Sequence, residues 1–285
     1  MTTASFMIGA FGDEIADDLE TQLQVLNELK IPCLELRAAW GVNVLNLSDE
    51  QVARVRALCE EHGVTVSALG SPIGKSPIEA PIETEVKNLQ RVIEIGRQLG
   101  TANIRIFSFH PPGDSATVDY DSYLDSAIDR IGRLVAVAEE EDVTLLLENE
   151  KGIVGDTLDR CVKLVEALES EHLVFLWDPA NFVQVGEARL TKRGWPLLRD
   201  RVGYVHIKDC TLDGTVKAAG EGDGQVPELL TELVRCGYKG MLALEPHLAM
   251  AGHSSGFSGP DGMAYAVETL RMVMRDVGAE EVSGF

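Results

Sequence analysis

Three carboxylates and one imidazole stand at the ends of apolar, strand-like runs in the second half of the chain. Glu148, Asp178, His206 and Glu245 lie in the segments LLLENE, LWDPAN, YVHIKD and LALEPH, and successive members are 28 to 39 positions apart. Such an oxygen-rich set with one nitrogen suits Mn²⁺, Mg²⁺, Co²⁺ or Zn²⁺ and leaves room for substrate oxygens, whereas thiolate-preferring metals fit poorly. We therefore predict that these four residues bind one divalent cation.

The long intervals between these residues require a fold that brings distant strand ends together. Apolar runs rich in β-branched residues recur near 5–10, 32–37, 64–69, 103–109, 143–148, 173–178, 202–207 and 241–245. Segments with helical periodicity separate them, and a last helix is expected near 260–276. Parallel strands of a closed barrel all end on one face, and such a barrel typically takes about 250 residues. The pattern predicts a (β/α)8 TIM barrel that forms a single domain over residues 1–285.

Local signals agree with this alternation of strands and helices. Ser48 precedes a helical segment with Gln51 three positions on, and Gly63 and Gly100 follow helices before the next strand. An open doubly wound sheet would alternate in the same way, but the first strand is followed by GAFGDEIADD and not by the glycine fingerprint of a dinucleotide fold. A closed barrel without an organic cofactor is therefore the expectation.

The charge and composition of the chain exclude several classes of binding partner. The formal net charge of −21 would repel phosphate backbones and anionic lipid, so nucleic acid and membrane surfaces are not expected partners. We find no apolar run of the roughly 20 residues that a bilayer span requires. The five cysteines show no CxxC pairing, which favours a reducing cytoplasm. A small molecule is the expected partner. A homo-oligomer is compatible with the sequence, which does not identify an interface.

Three of the four residues also have a purely structural interpretation. Glu148 could pair with an arginine or lysine of a neighbouring strand, and Glu150 competes with it for the ligand role. Asp178 could cap the helix or turn that starts at Pro179. A lone histidine such as His206 is usually a core residue, although it shares a pleat with Tyr204 and Lys208. Four such residues on successive strands, all at the same end, favour the metal-binding interpretation.

The segments LLLENE, WDPANF, YVHIKD with the later GEGDG, and LALEPH resemble the xylose-isomerase-like TIM barrel superfamily of sugar (phosphate) isomerases and epimerases. The similarity covers nearly the whole chain and is strongest from Val143 to His247. It implies that the four residues hold one divalent ion, commonly Mn²⁺, and that Glu148 and Glu245 also act as the catalytic acid and base. The chain departs from some ketose epimerases at Asn181, where they carry a histidine.

Several other residues are expected to contact a substrate, because they lie on or just beyond the predicted strand ends. These candidates are Arg37, Glu35, Trp40, Asn43, Lys75, His110, Asn181 and Lys208. Lys208 and Lys151 could neutralise a substrate carboxylate or phosphate. The glycine-rich run 220–224 carries two acids, so we interpret it as a tight turn covering the pocket in preference to an anion-binding loop.

The leading functional hypothesis is a sugar isomerase or epimerase. A chelated carbonyl is polarised, the neighbouring C–H becomes acidic, and an enediolate can form and be reprotonated elsewhere. The alternative is a metal-dependent lyase on the same scaffold, which would eliminate a β-leaving group from a 3-keto-glycoside or dehydrate a dehydro-acid after the same proton abstraction. A phosphodiesterase acting at abasic DNA sites would need many histidines to bind a three-zinc cluster. The chain has only six histidines and is strongly negative, so this class is disfavoured. A binding protein without catalysis is disfavoured by the presence of both glutamates.

Overall fold

The computed structural model describes residues 4–248 and 258–282. Eight parallel strands form its centre: β1 (Ser5–Phe11), β2 (Cys33–Leu36), β3 (Thr65–Leu69), β4 (Asn103–Ile106), β5 (Thr144–Glu148), β6 (Leu173–Trp177), β7 (Val202–Ile207) and β8 (Met241–Leu244). Each strand pairs with the next along the chain, and β8 pairs with β1, for example Ile8 with Leu242. The predicted eight-stranded barrel is therefore confirmed.

Helices surround the barrel. They are α1 (Leu19–Glu28), α2 (Asp49–His62), α3 (Ile82–Leu99), α4 (Leu124–Glu141), α5 (Leu158–Ala167), α6 (Pro179–Gln184), α7 (Leu190–Leu198), α8 (Val226–Cys236) and α9 (Gly259–Val277). Ser48 and Gln51 form the predicted capping box at the start of α2, and Gly63 and Gly100 end α2 and α3 with positive φ angles of 64° and 77°. These local signals fix where the helices begin and end.

Shorter elements decorate the ends of the strands. Two-residue strands pair antiparallel as Ala38–Ala39 with Val42–Asn43 and as Asp209–Cys210 with Val216–Lys217. Turns of 3-10 helix lie at Gly12–Glu14, Val44–Asn46 and Tyr120–Tyr123. A further strand, β9 (Glu280–Val282), runs parallel to the start of β1. Sequence patterns did not predict β9, which is short and largely polar.

The fourth predicted strand was too long. Residues 103–109 were expected to be extended, but β4 ends at Ile106, and Phe109 has a positive φ of 70°. The amides of Phe107 and Phe109 donate to the carbonyls of Ile73 and Gly74, which belong to the loop after β3. Both phenylalanines are buried, so the apolar pattern continues past the strand although the sheet pairing stops.

Alternate residues of the barrel strands point inward and form stacked layers. Leu146, Leu176, Tyr204 and Ala243 belong to one small buried cluster inside the barrel. Residues two positions further along the same strands are Glu148, Asp178, His206 and Glu245, one layer nearer the carboxyl ends of the strands. The barrel therefore presents a polar layer directly above an apolar one.

Across the residues that the structure describes, the helices lack the combination of length and apolar character that a bilayer crossing requires.

Candidate metal centre

The four predicted ligands meet at the carboxyl ends of the last four barrel strands. Glu148 ends β5, Asp178 follows β6, His206 is the penultimate residue of β7, and Glu245 follows β8. One ligand atom from each lies within 4.8 Å of every other, and all four side chains are buried. This cluster could hold a metal ion.

Two carboxylate oxygens without hydrogen bonds indicate that the cluster suits a cation. The buried atoms Glu148 Oε2 and Asp178 Oδ2 accept no hydrogen bond. Burying such oxygens without partners is costly, and nearby cationic side chains compensate only in part. A divalent ion with oxygen and nitrogen ligands would satisfy both atoms.

His206 lies between two carboxylates. Its Nδ1 is 3.1 Å from Glu148 Oε1, and its Nε2 is 3.2 Å from Glu35 Oε2. The rings of Phe11 and Tyr204 pack edge-on against the imidazole, with centroids 5.0 and 5.9 Å away. Burial would lower the pKa of His206, but Glu35 and Glu148 outweigh burial and raise the pKa to about 10. Without metal the ring is therefore protonated, and a metal ion that binds Nδ1 must displace a proton.

Glu148 contacts an arginine of a neighbouring strand, as its structural interpretation predicts, and also His206 of the proposed metal site. Its Oε1 accepts from His206 and from the amide Nδ2 of Asn181 at 3.2 Å, and its Oε2 lies 3.3 Å from Nη1 of Arg105 on β4. Burial would raise the pKa of Glu148, yet His206 and Arg105 together lower it to about 2. The side chain is therefore a carboxylate at neutral pH.

Glu245 is held by two cations. Arg37 Nη1 lies 2.5 Å from its Oε1, and Lys208 Nζ lies 3.4 Å from its Oε2. Burial opposes ionisation, but Lys208 and Arg37 keep the pKa of Glu245 well below its usual range. Arg37 also binds Asp13 and Glu14 at 2.7 and 2.9 Å, so a network of acids behind the site fixes the guanidinium.

Asp178 combines its predicted capping role with a place in the cluster. Its Oδ1 accepts from the Asn181 backbone N–H at 2.9 Å and so caps α6, while Oδ2 lies 3.2 Å from Lys208 Nζ. The Asn149 side chain bonds both the N–H and the C=O of Asp178, each at 2.9 Å. Burial raises the pKa of Asp178 to about 6, although Lys208 opposes the shift.

Two predicted substrate contacts, Asn181 and Lys208, lie within the cluster itself. Both are buried and contact its carboxylates. Arg37 is also adjacent, through Glu245, and its side chain is 18% exposed.

The other candidates lie further out or have structural partners. Lys75 pairs with Glu150 at 2.9 Å, and half-buried His110 donates from Nδ1 to the Gly152 carbonyl. Trp40 packs against the core, with the Arg54 guanidinium 5.2 Å above its ring. Asn43 caps a 3-10 turn by accepting from the Leu45 N–H. Glu35 is fully buried beneath His206.

Sequence patterns missed several residues that shape the site. The sequence pattern assigns no role to Arg105, Asn149, Asp13 or Glu14, and it predicts Glu35 only as a substrate contact. A signal for Arg105 and Glu35 does exist, because each is a charged residue within a short, otherwise buried strand. Such a residue must have a partner inside the barrel.

The glycine-rich run after β7 encloses a protein carboxylate. The amides of Gly220, Gly222 and Gly224 donate to Asp209 at 2.9 to 3.1 Å. A Cβ at Gly224 would lie 2.7 Å from Asp209 Oδ1, so the close approach requires glycine there. These three amides bind the carboxylate of Asp209, so the run is an anion-binding loop for an internal side chain. That the run covers the pocket stays a prediction.

Solved structures share this architecture at low sequence identity. A D-tagatose 3-epimerase-like protein superposes with a TM-score of 0.76 at 18% identity, and the match covers 95% of this chain and 98% of that protein. The probable 3-DHS dehydratase of Bacillus anthracis involved in petrobactin synthesis superposes with a TM-score of 0.71 at 16% identity, and the match covers 94% of this chain and 98% of the dehydratase. A xylose isomerase-like TIM barrel protein from Mycobacterium smegmatis in complex with magnesium has a TM-score of 0.72 at 17% identity, and the match covers 97% of this chain and 98% of that protein. At these identities the likeness establishes the fold.

No curated protein matches the sequence significantly. A family model, described as xylose isomerase-like TIM barrel, matches residues 23–272. The match covers most of the chain and agrees with the closed barrel and with the segments that suggested this superfamily. The chain belongs to the xylose isomerase-like TIM barrel family.

Proposed function

We propose that the protein is a divalent-metal-dependent isomerase or epimerase that acts on a small keto- or aldo-sugar. The single observation that carries the proposal is the convergence of Glu148, Asp178, His206 and Glu245 at the barrel mouth. The D-tagatose 3-epimerase-like protein that shares this fold supports the substrate class. Mn²⁺ is the cation that we propose, and Mg²⁺, Co²⁺ and Zn²⁺ suit the same ligands.

A divalent cation bound by the cluster would polarise a substrate carbonyl and so acidify the neighbouring C–H bond. Glu148 and Glu245 are the groups that we propose to remove and return the proton, because both are ionised and come from strands three apart. Asn181 donates to Oε1 of Glu148, and Oε2 accepts no hydrogen bond although Arg105 Nη1 lies 3.3 Å away. Lys208 can donate a hydrogen bond to a substrate oxygen beside Asp178.

Buried charge pairs fix these groups before a substrate arrives. Arg105 orients Glu148, and Arg37 orients Glu245. A carboxylate held in one geometry avoids reorganisation when the proton moves, which is where preorganised sites gain their rate. We propose that the protein works in the cytoplasm, since its five cysteines are free thiols.

The experiment is incubation of the Mn²⁺-loaded protein with a panel of ketoses and aldoses in D₂O. We expect one sugar to be converted into an isomer without loss of any group, with deuterium replacing the hydrogen on the carbon next to the carbonyl, as NMR and the corresponding rise in mass would show. Glu148→Gln and Glu245→Gln should abolish the exchange. Glu83→Gln, an exposed acid on α3 whose side chain is 70% exposed, is the matched control and should leave it unchanged. Exchange that persists in both site variants would refute the proposal.

A metal-dependent lyase is the second candidate, favoured by the dehydratase among the similar structures. Elimination begins with the same abstraction of a proton next to a carbonyl, so Glu148 or Glu245 would act as the base in either reaction. Incubation with 3-keto-glycosides and dehydro-acids separates the two functions. Loss of water or of a leaving group identifies a lyase, and conversion without change of mass identifies an isomerase or epimerase.

A further inference from the structure

Glu35 is a buried carboxylate within the barrel wall. It belongs to β2, has no exposed surface, and lies on the inner side of the wall with His206. Its ion-pair partner among the described residues is the imidazole of His206, and those residues provide it with no lysine or arginine within 4.0 Å. A carboxylate is costly to bury, and an apolar side chain of similar size would fill the same space more cheaply. The position of Glu35 therefore calls for an explanation beyond packing.

The contact between Glu35 and His206 determines which imidazole nitrogen carries a proton. Both Glu35 oxygens approach Nε2, at 3.2 and 3.3 Å. In a hydrogen bond between an imidazole nitrogen and two carboxylate oxygens the nitrogen donates and the oxygens accept, so this contact places a proton on Nε2. When the ring is neutral, Nδ1 then has the free lone pair. Nδ1 is the nitrogen that faces the cluster, 3.1 Å from Glu148 and 3.7 Å from Glu245.

The ring is also prevented from turning. Phe11 packs on it at an interplanar angle of 74°, and Tyr204 packs at 85°. These rings constrain the position of the imidazole, but they do not select a tautomer. The carboxylate is the group that supplies this selection.

We propose that Glu35 is a positioning residue for the metal centre: its hydrogen bond to Nε2 holds His206 with Nδ1 presented to the cation and increases the basicity of that nitrogen. The inference rests on the proposed metal site and adds a residue that contacts no metal. Carboxylates that support a ligating histidine in this way typically contribute 10- to 100-fold to metal affinity.

The experiment compares Glu35→Leu with Glu35→Gln. Leucine fills the space but accepts no hydrogen bond, whereas the glutamine side-chain oxygen can still accept from Nε2. Calorimetric titration of chelator-treated protein with Mn²⁺ should show affinity weakened about 10- to 100-fold in Glu35→Leu and by less in Glu35→Gln. Partial rescue by glutamine is the sign of a hydrogen bond and not of packing.

Thermal unfolding of the metal-free variants separates positioning from folding. A residue that served only the fold would lower the unfolding temperature when replaced and leave the Mn²⁺ affinity of the folded protein unchanged. We expect the opposite for Glu35→Leu: weaker Mn²⁺ binding without a matching loss of unfolding temperature. Equal Mn²⁺ affinity in folded Glu35→Leu and in the unsubstituted protein would overturn the inference.

A second measurement applies if Glu35→Leu does not fold. In Zn²⁺-loaded, ¹⁵N-histidine-labelled protein, NMR should place the His206 proton on Nε2 and the metal on Nδ1, in both the unsubstituted chain and Glu35→Gln. Metal on Nε2 in the unsubstituted chain would overturn the inference. Failure of the unsubstituted protein to bind Mn²⁺ would instead remove the metal site itself, so the two failures are distinguishable.

Discussion

Two layers inside the barrel are built by the same strands but differ in the polarity and charge of their side chains. The lower layer contains Leu146, Leu176, Tyr204 and Ala243 and is mostly hydrocarbon. The upper layer begins two residues later on each strand, about 7 Å further along. It contains Glu148, Asp178, His206 and Glu245, together with buried arginine and lysine partners.

The contrast shows how the barrel divides stability from chemistry. Apolar side chains of the lower layer lose exposed surface on folding and stabilise the closed sheet. Side chains of the upper layer are desolvated at a cost and are held by opposite charges, which suits a cation and a reacting sugar. Substitutions in the two layers should therefore change different properties of the protein.

The largest effect is expected from the upper layer. Glu148→Gln removes a proposed proton-transfer group while keeping its shape, and should lower the rate of sugar conversion by roughly 10²- to 10⁴-fold. Glutamine keeps an oxygen that can accept from Arg105 but removes the charge that pairs with it, so the metal-free protein should also lose some stability. Steady-state kinetics and thermal unfolding check both statements, and a large drop in unfolding temperature with the rate intact would reverse the assignment of the layers.

The lower layer should respond in the opposite way. Leu176 is fully buried, and Leu176→Ala should lower the free energy of unfolding by about 2 to 5 kcal/mol through lost contacts and a cavity. Below its unfolding temperature the variant should still bind Mn²⁺. Chemical denaturation and Mn²⁺ titration of the same sample test the pair of outcomes, and a variant of full stability without metal binding would contradict the comparison.

Loss of folding stability at low pH should also originate at the end of the barrel that carries the polar layer. Burial would raise the pKa of Glu14, but His247 and Arg37 outweigh it and lower the pKa below its ordinary value of 4.5. A carboxylate with a depressed pKa stabilises the fold above pH 4.5, and this contribution is lost as the pH falls through the folded-state pKa. The difference in unfolding temperature between the unsubstituted protein and Glu14→Gln should therefore shrink from pH 7 to pH 3, whereas the effect of Leu176→Ala should persist. A difference for Glu14→Gln that stays constant with pH would count against this role.

The smallest effect concerns thiol chemistry at the lower layer. Cys33 is fully buried beside Met7, with its Sγ 3.2 Å from the methionine sulfur, and burial raises its pKa. Cys236 is exposed. A thiol reagent should label Cys236 rapidly in the folded protein and Cys33 only after unfolding, as peptide mass spectrometry would show. Fast labelling of Cys33 would mean that the foot of the barrel is open.

The sequence predicted the elements better than it predicted the contacts among them. Strand positions and the four clustered residues follow from apolar runs that end in an acid or a histidine, because parallel strands of a barrel end together. The end of β4 was misplaced because Phe107 and Phe109 are apolar yet pair with a loop.

Contacts across the barrel could not be predicted in the same way. The bond between Glu35 and His206 joins residues 171 positions apart, and it depends on barrel closure and on which layer each side chain enters. The same holds for Arg105 with Glu148. A charged residue inside a buried strand signals that a partner exists, but the strand pattern does not identify that partner.

Anomalous diffraction at the manganese edge from crystals grown with Mn²⁺ tests the central claim most directly. We predict one strong peak per chain, within coordination distance of Glu148, Asp178, His206 Nδ1 and Glu245. A peak elsewhere, or none among these four side chains, would contradict it.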